Sequence, residues 1–133
     1  MEKRRYQKTG VDISLLGFGC MRLPKVDPEK QDIDEQQAEQ LIHYAYEQGV
    51  NYFDTAYMYH GGQSETFIGK ALRHYPRDSY FLADKMPVWM ADTKEDVPRI
   101  FEHQLKKCGV DYFDFYLCHS LTQEHWKTVS YTH

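Results

Sequence analysis

Four separated side chains have the types and spacing to do chemistry together. Asp54 and Tyr59 lie in FDTAYMY, Lys85 closes FLADK, and His119 closes FYLCH. A carboxylate, a phenol, an ammonium and an imidazole make a set that can move a proton and stabilise developing charge. Each has an ordinary explanation when taken alone: Asp54 caps a loop, Lys85 reaches solvent, His119 is a satisfied core histidine. What changes that reading is their shared position, since Asp54, Lys85 and His119 each end a short apolar run and Tyr59 follows Asp54 by five residues.

The elements that must position them alternate along the chain. Apolar runs at 15–18, 50–53, 80–83 and 113–117 are separated by segments of helical periodicity. Their starts fall roughly 30 to 35 residues apart, about the length of a βα unit with its loops. The first helical segment carries Ala38, Leu41, Ile42, Ala45 and Tyr46 as one apolar stripe, with Asp34 as N-cap, Gln37 at the capping-box position and Gly49 to end it. The second carries Phe67, Ile68, Ala71 and Leu72 behind Ser64 as a cap, and the third carries Val97, Ile100, Phe101 and Leu105 ahead of Gly109. Pro98 sets the start of the third near Val97, because proline is tolerated only in a first helical turn. Ahead of the repeats, residues 4–7 and 12–14 flank Lys8-Thr9-Gly10 as a small hairpin covering one end of the sheet, and residues 24–31 form a polar loop. Parallel βα units open the carboxyl ends of their strands on one face, so Asp54, Lys85 and His119 are expected to converge there. Alternation agrees, with Phe81, Ala83 and Lys85 on one side of a strand, as are Phe115, Leu117 and His119.

Composition narrows the function classes. Sixteen basic against twenty acidic residues leave a net charge of −4, which offers no footprint for nucleic acid or an anionic membrane, and Lys3-Arg4-Arg5 reads as a solvated strand flank. No apolar run reaches the length of a membrane span and the amino terminus is charged where a signal peptide is apolar, so the expected location is cytoplasmic. Cys20, Cys108 and Cys118 form no C-x-x-C pair and are read as reduced thiols.

Through LLGFGCMRLP, FDTAYMYHGGQSETFIGKAL, ADKMP and GVDYFDFYLCHS, the chain resembles the aldo-keto reductases from Arg5 to about Ser120. The resemblance implies the N-terminal half of a (β/α)8 TIM barrel, about four βα units preceded by a small β-hairpin. It also implies an NADPH-dependent oxidoreductase that reduces aldehyde or ketone carbonyls to alcohols. The catalytic tetrad then maps onto Asp54, Tyr59, Lys85 and His119. Tyr59 is the proton donor, its phenol made more acidic by the Lys85 ammonium; Asp54 holds Lys85; and His119 hydrogen-bonds and orients the substrate oxygen. Cys20 and Met21 are implied to lie beside the nicotinamide with Asp54, and Trp89 to line the substrate pocket, while ordinary packing of Cys20 and Met21 and simple exposure of Trp89 stay open as readings.

Two departures accompany the resemblance. Asp84 stands before the lysine where the family often has a small hydroxyl residue, and its charge is placed to compete with Asp54 for Lys85. The chain also supplies four of eight βα units, so most of the implied cofactor site, and a C-terminal iron–sulfur segment like that of the bacterial subgroup it looks most like, would lie in further sequence. A fragment of this kind is expected to be inactive alone and to self-associate through open sheet edges. The barrel domain is drawn at 1–128, and 129–133 is expected to be a non-native tail: the family pattern stops there without a helix cap, and VSYTH is encodable by a transposon-end sequence used as a library adapter. Two other readings are a cofactor-binding or redox-sensing barrel module without turnover, and a metal-dependent barrel hydrolase using His60, His119 and His125, although no metal-ligand spacing is present.

Overall fold

A computed structural model describes residues 1–130, with side chains as far as Trp126. Strands β1 (Lys3–Tyr6) and β2 (Val11–Ser14) pair as an antiparallel hairpin around a turn with Gly10 at a φ of 71°. Strands β3 (Phe18–Gly19), β4 (Tyr52–Asp54), β5 (Phe81–Pro87) and β6 (Phe115–His119) then form one parallel sheet in sequence order. Helices α1 (Glu35–Glu47), α2 (Ser64–Leu72) and α3 (Asp96–Cys108) connect the strands, and α4 (Gln123–Ser130) follows β6. Parallel neighbours need crossovers of this length, and helices supply them.

The helices pack on one side of the sheet. Phe53 and Leu82 from the strands, with Tyr80 just before β5, meet Ile42, Phe67, Ile68, Leu72 and Cys108 in a single buried cluster. The other side becomes the barrel interior. There Tyr52, Phe81 and Phe115 touch ring to ring, and Tyr6 of the hairpin closes on Phe115 at 5.6 Å, so the hairpin covers the amino-terminal end of the sheet. Asn51 ties it down by accepting from Ser14 N at 2.8 Å and donating to Asp12 O at 2.9 Å.

Several details depart from expectation. Leu15 and Leu16 are exposed, and the first ladder forms only at Phe18 and Gly19, because Leu15 still belongs to the hairpin through its N–H bond to Glu2 O at 2.9 Å. Strand β5 runs four residues past Ala83, since β6 pairs with it as far as Pro87 and His119; Lys85 is therefore inside the strand, opposite Leu117. Asp34 caps α1 as expected, accepting from Gln37 N at 3.0 Å. Ser64 does not cap α2: Gln63 before it is already helical, and the Ser64 hydroxyl is buried against Thr55 Oγ1 at 2.9 Å. Pro98 falls at the third residue of α3, within the first turn where its missing N–H is harmless. Of the expected tail 129–133, Val129 and Ser130 fall within the bounds of α4 and 131–133 lie outside the described residues.

Candidate active site

The carboxyl ends of β4, β5 and β6 bring the polar residues together. Register sets their heights, because Asp54 pairs with Ala83, Lys85 with Leu117, and Pro87 with His119. Lys85 thus starts above Asp54 and reaches back down to it. Its Nζ donates to Asp54 Oδ1 at 2.6 Å, Thr55 O at 2.7 Å and Tyr59 Oη at 3.1 Å. All three ammonium protons are committed, so the charge is fixed in place. Burial works against that charge, but the hydrogen bonds to Asp54 and Tyr59 outweigh it and hold the Lys85 pKa above its ordinary value.

Tyr59 is carried over the strand end by a tight kinked turn, Tyr59–Gly62. Within it His60 and Gly61 take φ values of 53° and 61°, and a left-handed conformation is costly for a residue with a Cβ. The compensation is visible. His60 is buried, its Nε2 accepts from Leu23 N at 3.0 Å, and its Nδ1 lies 3.2 Å from Gln31 O. Since Nε2 accepts, Nδ1 is the donor, and the imidazole bolts the Tyr59 turn to the loop after β3. Sequence reasoning placed His60 only in a metal-ligand set and missed this anchoring role. With both ring nitrogens engaged by backbone, His60 is not available as a ligand, and no group of three potential metal ligands occurs among the described residues.

His119 completes the cluster. Its ring meets Tyr59 edge-on at 5.9 Å and Trp89 at 5.2 Å, so Trp89 stands on the same rim. Burial, and then the nearby Lys85 charge, lower its pKa below 6.5, which keeps the imidazole neutral at pH 7. Nδ1 of His119 is buried without a hydrogen-bond partner among the described residues.

At the end of β3, Gly19 pairs with Asp54, and a Cβ built at Gly19 meets nothing within 4 Å. The space above Gly19, at the height of Asp54, is open. Met21 stands exposed next to it, whereas Cys20 has no exposed surface and its thiol pKa is pushed up by burial. The Cys20 side chain faces the core, as in the reading of ordinary packing.

Asp84 does not compete for Lys85. Alternation along β5 turns it to the helix-covered side, fully buried, with Oδ1 accepting from Lys85 N at 2.8 Å. The structure thus brings Asp54, Tyr59, Lys85 and His119 together with Trp89 against His119, while Met21 is exposed after β3.

Comparison with known proteins decides the family. The profile of the Aldo/keto reductase family matches residues 15–127. The chain belongs to the aldo/keto reductase family. It is 36% identical over 120 residues to "Probable aldo-keto reductase 1" of Glycine max, covering 83% of this chain and 34% of that protein. It is 30% identical over 126 residues to L-galactose dehydrogenase of Arabidopsis thaliana, covering 91% and 39%. Among solved structures, a thermostable aldo-keto reductase in complex with the inhibitor epalrestat superposes with a TM-score of 0.80 at 28% identity, covering 98% of this chain and 49% of that one. An aldo-keto reductase from Klebsiella pneumoniae in complex with NADPH gives 0.75 at 26% identity, with 98% and 45% covered. The chain spans less than half the length of these relatives, and its fold corresponds to the N-terminal half of the aldo-keto reductase barrel.

Proposed function

We propose that this aldo-keto reductase sequence acts within a complete barrel that reduces aldehyde or ketone carbonyls to alcohols with NADPH. The observation that carries the reading is the Lys85 ammonium held between Asp54 and the Tyr59 hydroxyl, with His119 against the tyrosine ring. Met21 and the open space at Gly19 fit the nicotinamide end of the cofactor. When bound, NADPH supplies the hydride that adds to the carbonyl carbon. As negative charge grows on the carbonyl oxygen, Tyr59 gives it a proton through Oη and Lys85 steadies the phenolate that remains. Asp54 keeps Lys85 aimed at the tyrosine, and neutral His119 donates a hydrogen bond that orients the carbonyl. Trp89 lines the approach of the substrate and excludes water from one side.

The four βα units described here hold the proton-donating half of this machinery, and the family resemblance assigns the ribose, pyrophosphate and adenine contacts to later units. The 133-residue chain alone is therefore proposed to be inactive. The test is Tyr59→Phe in the complete barrel, followed by NADPH oxidation with a simple aldehyde. The expected result is loss of turnover by roughly 10²-fold or more with NADPH binding kept, the range of a positioned general acid. Turnover near the wild-type rate would remove Tyr59 as the donor.

A further inference from the structure

Behind Lys85, on the side of the sheet away from the cleft, lies a buried polar cluster. Glu65 from α2, Gln104 from α3 and Asp84 from β5 are each without exposed surface. Charged groups inside an apolar layer are costly, so what they bond to is informative. Gln104 Nε2 donates to Glu65 Oε1 at 2.8 Å and to Lys85 O at 2.9 Å, and its amide oxygen accepts from the Tyr116 hydroxyl. Asp84 Oδ1 accepts from Lys85 N at 2.8 Å. Lys107 of α3 closes the cluster with an ion pair to Glu65 at 2.5 Å.

Ladder geometry explains why these bonds converge on one residue. Phe81 N donates to Asn51 O at 2.7 Å and Ala83 O accepts from Thr55 N at 2.9 Å, so alternate residues of β5 turn their peptide groups toward β4. Lys85 is next in that series. Strand β4 ends at Asp54, so the Lys85 N–H and C=O face the space where a strand partner has run out. Buried backbone groups left without partners cost free energy comparable to a lost hydrogen bond, and here two side chains satisfy both.

We propose that Asp84 and Gln104 are positioning residues for the catalytic lysine: they replace the strand partner that β4 withdraws at Asp54 and so fix where the Lys85 side chain leaves the sheet. The inference rests on the reductase reading of the site. Early termination of β4 is what frees Thr55 O and the Tyr59 turn to meet Lys85 Nζ, and the polar cluster holds the β4-facing edge of β5 at Lys85 while β6 pairs with its other edge.

The protonation of the cluster agrees. Burial, and next the charge of Glu65, push the Asp84 pKa up to about 9, so at pH 7 it is a neutral acid. With Oδ1 accepting from Lys85 N, the proton belongs on Oδ2, which is buried without a hydrogen-bond partner among the described residues. The other groups around it are Lys85 on its own strand, Tyr116 on β6, and Gln104, Lys107 and the Cys108 thiol on α3. A neutral acid in this place is the isostere of asparagine, which gives a conservative variant.

The test uses the complete barrel with Asp84→Asn, Asp84→Ala and Gln104→Met. Asp84→Asn keeps the acceptor for Lys85 N and is expected to keep kcat near wild type. Asp84→Ala and Gln104→Met are expected to lower kcat roughly tenfold to a hundredfold with the KM for NADPH unchanged, as sub-ångström misplacement of a catalytic group does. Amide hydrogen exchange at Lys85, read by NMR, is expected to accelerate about tenfold or more in Asp84→Ala and to stay slow in Asp84→Asn. Normal kcat and slow exchange in Asp84→Ala overturn the proposal, as does an Asp84→Asn variant as impaired as the alanine. If Gln104→Met does not fold, the two Asp84 variants decide. Tyr59→Phe separates the levels: if it is inactive while Asp84→Ala turns over normally, only this inference fails.

Discussion

Gly69→Ala is the substitution whose cost the structure fixes most directly. Gly69 sits in α2 against the end of α3, and a Cβ there would lie 2.0 Å from Cys108 O, 2.6 Å from Cys108 C and 2.9 Å from Cys108 Cα. All three atoms are backbone, so no rotamer change relieves the contact. Moving the carbonyl from 2.0 Å out to an ordinary 3.4 Å requires the helices to separate by about 1.4 Å. That separation draws Phe67, Ile68 and Leu72 away from Cys108 in the core and lengthens the bonds from Glu65 to Gln104 and Lys107. Overpacking of this kind costs ~1–3 kcal/mol, and a backbone clash belongs at or beyond the upper end. Alanine's better helix propensity offsets about 1 kcal/mol. The expected net loss is therefore about 2 kcal/mol or more, read as a lowered urea midpoint by circular dichroism. Gly19→Ala is the control, because Gly19 has a φ of −95° and no atom within 4 Å of the added carbon. It is expected to change stability by no more than about 0.5 kcal/mol. A Gly69→Ala protein as stable as the parent would refute the close helix contact and the packing argument built on it.

Other outcomes follow from single contacts. Asp84, with its pKa raised from 3.8 to about 9 in the fold, contributes stability that is complete below pH 4 and is lost as pH rises toward 9. Stability should fall across that window, by at most ~1.4 kcal/mol per pH unit, and Asp84→Asn should flatten the slope; equal slopes in the two proteins would contradict the buried neutral acid. Asp34→Ala removes the acceptor for Gln37 N and should cost about 1 kcal/mol, whereas an unchanged melting curve would show that the cap contributes nothing. The 133-residue chain leaves β3 and β6 as sheet edges and the Tyr52, Phe81 and Phe115 rings facing an interior without an opposing wall, so sedimentation should report self-association; a clean monomer would count against it.

Much of this arrangement was legible in the sequence where two signals coincide. Helix α1 announces itself by periodicity and by Asp34 and Gly49 at its ends, yet Leu41 of its stripe is exposed because it falls at the margin of the buried arc centred on Ala38 and Ile42. Strand β3 was misplaced by an apolar pair, Leu15 and Leu16, that the hairpin keeps at the surface. Ser64 illustrates a limit of cap rules: Gln63 before it is already helical, so the serine points inward instead of back. The convergence of Asp54, Lys85 and His119 could be read from their places after apolar runs, although β5 runs on past Lys85; Asp84 was expected to compete for Lys85, and alternation along β5 turns it to the other side. Gln104 was hidden by its chemistry, since it occupies a core position four residues after Ile100 and four before Cys108 where only an apolar side chain was sought. The role of His60 depends on Leu23 and Gln31, more than twenty-five residues away, and no local pattern reports such a contact.

The central claim is that one half-buried ammonium, shared by Asp54 and Tyr59, makes the tyrosine a proton donor. Lys85→Met in the complete barrel tests it most directly, because methionine keeps much of the side-chain volume and removes the charge and its three hydrogen bonds. Single-turnover oxidation of bound NADPH by a simple aldehyde should slow by roughly 10²-fold or more while NADPH binding is retained. A Lys85→Met protein that transfers hydride at the parental rate would contradict the account.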